Sequence, residues 1–115
     1  MHEYSLVQAL MQRVAQEARA RGASSVRRLS VRIGSLAGVE PELFASAYSL
    51  FREGTLCSDA ELVIEQVEAR WVCPQCGRSP APGEILRCAA CGVPARLAAG
   101  DEIMLDRIEM EVPDV

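Results

Sequence analysis

The chain has 115 residues, which is enough for one typical domain and a small subdomain but too few for two independent hydrophobic cores. Hydrophobic residues make up 50% of it and charged residues 24%, a composition typical of a folded protein and not of a disordered tail. Sixteen acidic residues against 12 basic ones leave a net charge of −4, which argues against general binding to nucleic-acid backbones or anionic membranes.

The sequence also indicates the cellular compartment of the protein and, through it, the chemistry of the cysteines. No apolar run approaches the roughly 20 residues of a membrane span, and the N-terminal residues lack the basic-then-apolar pattern of a signal peptide. We therefore expect a cytoplasmic protein. In that reducing compartment the five cysteines are better interpreted as metal ligands or redox thiols than as disulfides.

Residues 5–21 are predicted to form an amphipathic helix, because their apolar side chains recur at helical spacing. Ser5 followed by Gln8 fits a capping box at the start of this helix, and Gly22 fits a C-terminal stop. Residues 1–4 are therefore expected to precede the helix.

Three segments are predicted to form β-strands. Residues 28–33 alternate polar with apolar side chains, and residues 62–67 are rich in strand-forming residues. In residues 103–112 the apolar positions change from odd to even numbers partway along. This change indicates a bulge or sharp twist near Asp106 and Arg107.

A second amphipathic helix is predicted to begin at Pro41 and to end at Gly54. Two such helices can cover the apolar face of a small sheet. We therefore expect an α+β fold in which two α-helices cover a three-stranded antiparallel sheet, formed by residues 1–70 plus 101–115. Residues 71–100 interrupt the connection between the second and third strands, show little periodicity, and are expected to form an inserted domain.

The inserted segment carries two CxxCG sequences, CPQCG at residues 73–77 and CAACG at residues 88–92. Each glycine permits a tight turn that leaves backbone N–H groups free to hydrogen-bond the thiolates, so two turns can supply four sulfur ligands in a tetrahedron. We predict a zinc-ribbon-like subdomain with a structural Zn(II) ion whose coordination positions are all filled by protein. The predicted ligands are Cys73, Cys76, Cys88 and Cys91.

Other interpretations of the cysteines stay open. Four cysteines can hold an iron–sulfur cluster, and a pair can act as a redox switch, although the redox motif normally opens a helix and occurs once. A zinc ribbon can also bind nucleic acid, but between its outer cysteines this segment has only two arginines and no aromatic residue. Cys57 belongs to no pair and is predicted to be a free or half-buried thiol, with metal ligation as the minor alternative.

The sequence MHEYS at residues 1–5 contains the only histidine of the chain, His2. The α-amine of Met1, the intervening backbone nitrogens and the imidazole can wrap a divalent ion in adjacent chelate rings, and such nitrogen coordination suits Ni(II) or Cu(II). The pattern alone is weak evidence, because any chain that begins with Met-His offers the same atoms. A lone histidine is more often a plain surface or core residue.

The chain resembles the HypA/HybF family of hydrogenase maturation factors in four features: MHEYS, GSLAGVEPELF at residues 34–44, the two CxxCG sequences, and GDEIMLDRIEMEV at residues 100–112. The resemblance covers almost the whole chain. Its most specific element is an initial MHE combined with two CxxC pairs. The family implies a non-enzymatic nickel metallochaperone for [NiFe]-hydrogenase, and in some organisms urease, with a structural zinc, a HypB-type GTPase partner and the hydrogenase large subunit as acceptor.

The nickel site that this resemblance implies comprises the α-amine of Met1, the imidazole and amide of His2, and the amide or carboxylate of Glu3. Ni(II) would be a transient cargo, and Zn(II) would stay bound at the four paired cysteines. The second pair reads CAACG where CPxCG is common in the family, which changes the stiffness of the turn without removing a ligand.

Partners are expected to be proteins, with no nucleic acid and no membrane. The exposed side of the first helix carries Arg13, Glu17 and Arg19 close to the predicted nickel ligands, so we expect the GTPase to dock there. The alternative for this surface is a plain solvated face. The competing functional hypothesis is a zinc-ribbon interaction or transcription module that binds nucleic acid or a protein partner.

Overall fold

The computed structural model describes residues 2–80 and 85–113. Within these ranges it contains two α-helices and five β-strands. In chain order they are α1 (His2–Ala20), β1 (Ser25–Gly34), α2 (Pro41–Phe51), β2 (Glu61–Val67), β3 (Arg70–Val72), β4 (Arg96–Ala99) and β5 (Ile103–Glu111). Neither helix combines the length and the apolar character that crossing a membrane requires.

Helix α1 starts at His2, so the expectation that residues 1–4 precede the helix is wrong for those of them that the structure describes. Ser5 is not the cap of this helix, because it lies inside it. Its hydroxyl donates a 3.0 Å hydrogen bond to the carbonyl of His2, three residues earlier. Such back-bonding is typical of serine inside a helix. A hydrogen bond between Glu3 and the backbone of Glu40 stabilises the extra turn, and the predicted end of the helix at Gly22 is confirmed.

Strand β1 is the centre of a three-stranded sheet with the order β2-β1-β5. It pairs antiparallel with β5 but parallel with β2, so the expectation of a fully antiparallel sheet is wrong. The reason is α2, which connects β1 to β2 and carries the chain back across the sheet, so that both strands run in the same direction. The α+β class is confirmed, since both helices pack on this sheet.

The predicted irregularity in the last strand is confirmed. Ser30 pairs with Arg107 and Val31 pairs with Leu105, which leaves Asp106 as an extra residue in β5. This β-bulge explains why the apolar positions change from odd to even numbers while residues on both sides of it still pack against the core.

The main core lies between the sheet and the two helices, and the opposite face of the sheet is charged. Exposed ion pairs cross that face between neighbouring strands, for example from Arg28 to Glu61 and Glu109. Exposed pairs of this kind each contribute about 1 kcal/mol or less, so the fold depends mainly on the apolar side. The buried members of the core cluster are Val7, Val14, Val26, Leu29, Val31, Ile33, Phe44, Ala47, Tyr48, Cys57 and Ala60.

A second sheet, in which β3 pairs antiparallel with β4, frames the segment that carries the paired cysteines. The end of β1 and the loop after it are hydrogen-bonded to the residues where this segment leads into β5. The amide of Gly34 donates to the carbonyl of Glu102 at 2.8 Å, and the amide of Leu36 donates to the carbonyl of Gly100 at 2.7 Å. The inserted segment therefore rejoins the main sheet at a hydrogen-bonded junction.

Candidate metal centres

Four sulfur atoms converge between β3 and β4, where the Sγ atoms of the paired cysteines all lie within 4.8 Å of one another. Two matching turns bring them together: the amides of Gly77 and Gly92 each donate a 2.9 Å hydrogen bond to the carbonyl of the first cysteine in their pair. Both glycines have positive φ, 77° and 68°, which favours glycine at these positions. The predicted ligands that meet here are Cys73, Cys76, Cys88 and Cys91.

The spacing of the sulfurs has the dimensions of a tetrahedral metal site. The Sγ atoms of Cys76 and Cys88 are 3.7 Å apart. A zinc ion with four sulfurs at about 2.3 Å places neighbouring sulfurs about 3.8 Å from each other. The cysteines are free thiols, so no disulfide competes with a metal for these sulfurs.

Backbone amides favour the thiolate form of two of these cysteines. Gln75 donates to Sγ of Cys73 and Cys91 donates to Sγ of Cys88, both at 3.4 Å. Hydrogen bonds from backbone amides, that of Cys76 first, lower the pKa of Cys73 to about 6, and the amide of Cys91 lowers the pKa of Cys88. Hydrogen bonding to neighbouring sulfurs, first that of Cys76, raises the pKa of Cys91 to about 12. A bound divalent cation would stabilise the thiolate form of all four cysteines and so remove this difference.

The described part of the predicted nickel site lies at the start of α1. His2 is in the first turn with an exposed side chain. Backbone amides in the first turn of an α-helix have no acceptor within the helix, so the amides of His2 and Glu3 are not used by α1. Met1, which carries the predicted amine ligand, lies outside the described residues.

Glu3, the remaining predicted nickel ligand, is buried, with 9% of its surface exposed. Its Oε2 atom accepts a 3.2 Å hydrogen bond from the backbone amide of Glu40, the residue before α2. This hydrogen bond and one from the amide of Glu3 itself lower the pKa of the Glu3 carboxyl. The carboxylate is therefore ionised and engaged with another part of the chain.

The role of the Glu40 amide was not predicted from the sequence, although the buried position of Glu3 had a signal there. Glu3 precedes Val7 by four positions and Val14 by eleven, so it extends the buried stripe of α1 by one turn. A buried carboxylate needs a hydrogen-bond donor. The identity of that donor, 37 residues further along the chain, could not be inferred from the local pattern.

Cys57 lies in the main core, 2% exposed, and is not part of the four-sulfur cluster. The prediction of a free thiol is confirmed, and the thiol is fully enclosed. Burial raises its pKa, which keeps it protonated and unsuited to bind a metal.

Known proteins are similar to this chain over almost its whole length. Residues 1–110 match the family model for HypA, described as a hydrogenase/urease nickel incorporation metallochaperone. The chain belongs to the HypA family. The hydrogenase maturation factor HypA of Aquifex aeolicus is 37% identical over 114 residues, which cover 97% of this chain and 99% of that protein. The HypA of Wolinella succinogenes is 37% identical over 117 residues, which cover 99% of this chain and 98% of that protein.

Solved HypA structures share the fold. The solution structure of the nickel metallochaperone HypA from Helicobacter pylori is 30% identical in sequence, with a TM-score of 0.74 over 96% of this chain and 98% of that one. A second HypA solution structure is also 30% identical, with a TM-score of 0.80 and 98% coverage of both chains.

Family membership confirms the resemblance inferred from the sequence and with it the general function. The chain is a HypA-family nickel metallochaperone of hydrogenase maturation, and its cysteine cluster fits a structural zinc site. Maturation by nickel incorporation implies protein partners that accept the metal. The comparisons thus favour metal delivery over the transcription module and the redox switch.

Proposed function

We propose that this chain binds Ni(II) at its N-terminus and transfers it to the large subunit of a [NiFe]-hydrogenase, and to urease where that enzyme is present. The ligands would be the α-amine of Met1, the imidazole and amide of His2, and the amide of Glu3. The observation that carries the proposal is the exposed His2 in the first turn of α1, in a chain of the HypA family. Ni(II) is cargo here, and the chain has no turnover of its own.

A helix that starts at His2 is compatible with such a site. The amides of His2 and Glu3 donate to no carbonyl of the helix, so nickel can replace their protons without breaking the helix. At Glu3 the ion would also replace the hydrogen bond from the amide to its own carboxylate. The positive end of the helix dipole disfavours a cation, but each deprotonated amide brings a compensating negative charge. Tetragonal nitrogen coordination also suits Ni(II) better than Zn(II). Release is feasible because the ligands can dissociate from the ion one at a time while an acceptor binds it.

We also propose that the four clustered cysteines hold a structural Zn(II) ion. The 3.7 Å separation of two sulfurs and the amide hydrogen bonds to two others support this assignment. The metal would order residues 71–100 as a subdomain distinct from residues 1–70 plus 101–115, with β3 and β4 as its own sheet. Strand β3 begins one residue before this boundary, at Arg70.

A HypB-type GTPase is the proposed partner in nickel transfer, in the cytoplasm. Arg13 and Glu17 line a groove of about 260 Å³ between α1 and β5, and Arg19 is exposed on the same helix. This surface belongs to the helix that begins with the nickel ligands. A partner docked here would contact the same helix as the metal, starting about 16 Å along its axis from His2.

Nickel titration of the untagged protein tests the proposed site, with calorimetry for the affinity and the absorption spectrum for the coordination. His2→Ala is expected to abolish stoichiometric nickel binding while zinc content and helicity stay unchanged, because it deletes the imidazole ligand. A tag ahead of Met1 is expected to do nearly the same, because it converts the amine into an amide. Acid should also weaken binding, since the ligands must lose protons to bind the metal.

Gln8→Ala is the matched control, because Gln8 is exposed on the same helix but lies beyond its first turn. It should bind nickel as the unchanged protein does. Normal nickel binding by the tagged protein would exclude the amine, and normal binding by both the tagged protein and His2→Ala would place the nickel site elsewhere.

A further inference from the structure

Glu3 is the one charged side chain that the structure buries within residues 2–80 and 85–113. Carboxylates are seldom buried without a partner, because removing their charge from water is unfavourable. Neighbouring residues of an α-helix point about 100° apart. The imidazole of His2 is accordingly exposed, while the carboxylate of Glu3 faces the body of the protein.

The partner of this carboxylate is the start of helix α2. Glu40, whose amide donates to Glu3, is the N-terminal cap of α2, and its own side chain makes no capping hydrogen bond. The next residue is Pro41, which has no N–H to offer. The negative charge of Glu3 therefore lies at the positive end of α2, where an anion is stabilised.

A second contact holds the same turn of α1. The ring of Tyr4 meets the ring of Phe51, the last residue of α2, edge to face with centroids 6.0 Å apart. The first turn of α1 is thus fastened to the beginning of α2 through Glu3 and to its end through Tyr4. The backbone amides of His2 and Glu3 belong to this fastened turn.

We propose that Glu3 is a positioning residue of the nickel site, whose carboxylate ties the first turn of α1 to α2 and does not itself bind nickel. The inference rests on the proposed N-terminal site. Ordering the amide ligands before nickel arrives raises the apparent affinity, because the affinity is reduced in proportion to the fraction of molecules in which the site is formed. A carboxylate that moved to the metal would leave its buried position and its donor at Glu40.

Two substitutions of Glu3 separate positioning from ligation. Glu3→Gln keeps a side-chain oxygen that can accept from Glu40 but removes the carboxylate, whereas Glu3→Ala removes both. For Glu3→Gln we expect the same nickel absorption spectrum as that of the unchanged protein. The dissociation constant for nickel should rise by no more than about fivefold, because one hydrogen bond is weakened but kept. For Glu3→Ala we expect a rise of about tenfold or more, with faster hydrogen exchange of the amides in the first turns of α1.

Glu42→Gln is the control, because Glu42 is an exposed acid in the first turn of α2, and it should leave affinity and spectrum unchanged. A Glu3→Gln protein that loses affinity as severely as Glu3→Ala, with an altered spectrum, would overturn the inference in favour of a carboxylate ligand. Wild-type affinity in Glu3→Ala would overturn it as well. Both outcomes are distinguishable from an error in the proposed N-terminal site. If that site were wrong, the His2→Ala protein would still bind nickel normally.

Discussion

The sulfur atoms of Cys76 and Cys88 are 3.7 Å apart although the two residues are separated by twelve positions in the chain. Each belongs to a separate turn, and no helix or strand of the main sheet contributes to the cluster. Four unlinked thiols at this distance repel one another once they ionise. We therefore expect the segment between β3 and β4 to depend on a metal ion for much of its stability.

The first prediction follows from this dependence. Cys88→Ser should lower the zinc content to well below stoichiometric, because it removes one of four ligands. Hydrogen exchange in the described parts of residues 71–100 should then become fast, while α1, α2 and the three-stranded sheet stay protected. Metal analysis together with hydrogen exchange measures both effects.

The fifth cysteine is the control for that experiment. Cys57→Ala changes a buried thiol outside the cluster and should cost about 1 kcal/mol of stability with no loss of zinc. Global unfolding of the Cys88→Ser protein would show that the metal stabilises the whole fold and not the inserted segment alone.

The second prediction concerns the junction between the two sheets. Gly100 has a φ of 101°, and a Cβ added to it would lie 2.5 Å from Cα of Ala69. Gly100→Ala should therefore lower the free energy of unfolding by about 2–4 kcal/mol, as measured by chemical denaturation. Gly54→Ala should cost only about 1 kcal/mol, because Gly54 also has positive φ but has open space around it. Equal costs would mean that the close backbone contact at the junction is not retained in solution.

The third prediction is a loss of stability in alkali that originates at Tyr48. Burial, and then the charge that the neighbouring Cys57 thiol acquires in alkali, raise the pKa of Tyr48 to about 12, compared with about 10 in an unfolded chain. The folded state thus keeps its proton where the unfolded state loses it. The contribution of Tyr48 to the free energy of unfolding is fully present below about pH 10. It is lost as the pH rises through about 12, by roughly 2–3 kcal/mol in total.

Tyr48→Phe tests this dependence. The variant should lose about 1 kcal/mol at neutral pH, because the 2.8 Å hydrogen bond to the carbonyl of Ala60 disappears, while the 3.0 Å bond from Arg52 to that carbonyl remains. Its unfolding free energy should fall less than that of the unchanged protein between about pH 9 and about pH 11. Parallel pH profiles for the two proteins would assign the alkaline loss to other groups.

The fourth prediction addresses the proposed GTPase surface on α1. Charge reversal at Arg13 and Arg19 should weaken association with the GTPase by about tenfold or more and slow nickel transfer, without changing nickel affinity in the absence of the partner. Charge reversal at Arg27 is the comparison, because Arg27 is an exposed arginine paired with Glu111 at the end of the sheet. Unchanged association after reversal at Arg13 and Arg19 would identify this side of α1 as a plain solvated surface.

Local patterns were sufficient for most of the elements. The helical spacing of apolar residues predicted both helices, and the change of phase in residues 103–112 predicted the bulge at Asp106. The two CxxCG sequences predicted two matching turns, because each turn is completed within five consecutive residues. In these cases the information and the structure that it determines lie in the same short segment.

Relationships between distant segments were decided only by the tertiary structure. The sequence did not determine that β2 runs parallel to β1, because strand direction depends on how the intervening helix crosses the sheet. It also did not determine that α1 reaches back to His2, because that turn is held by the amide of Glu40, 37 positions from Glu3. Helix ends and strand pairings depend on contacts between residues far apart in the chain, and no local pattern specifies which segments will meet.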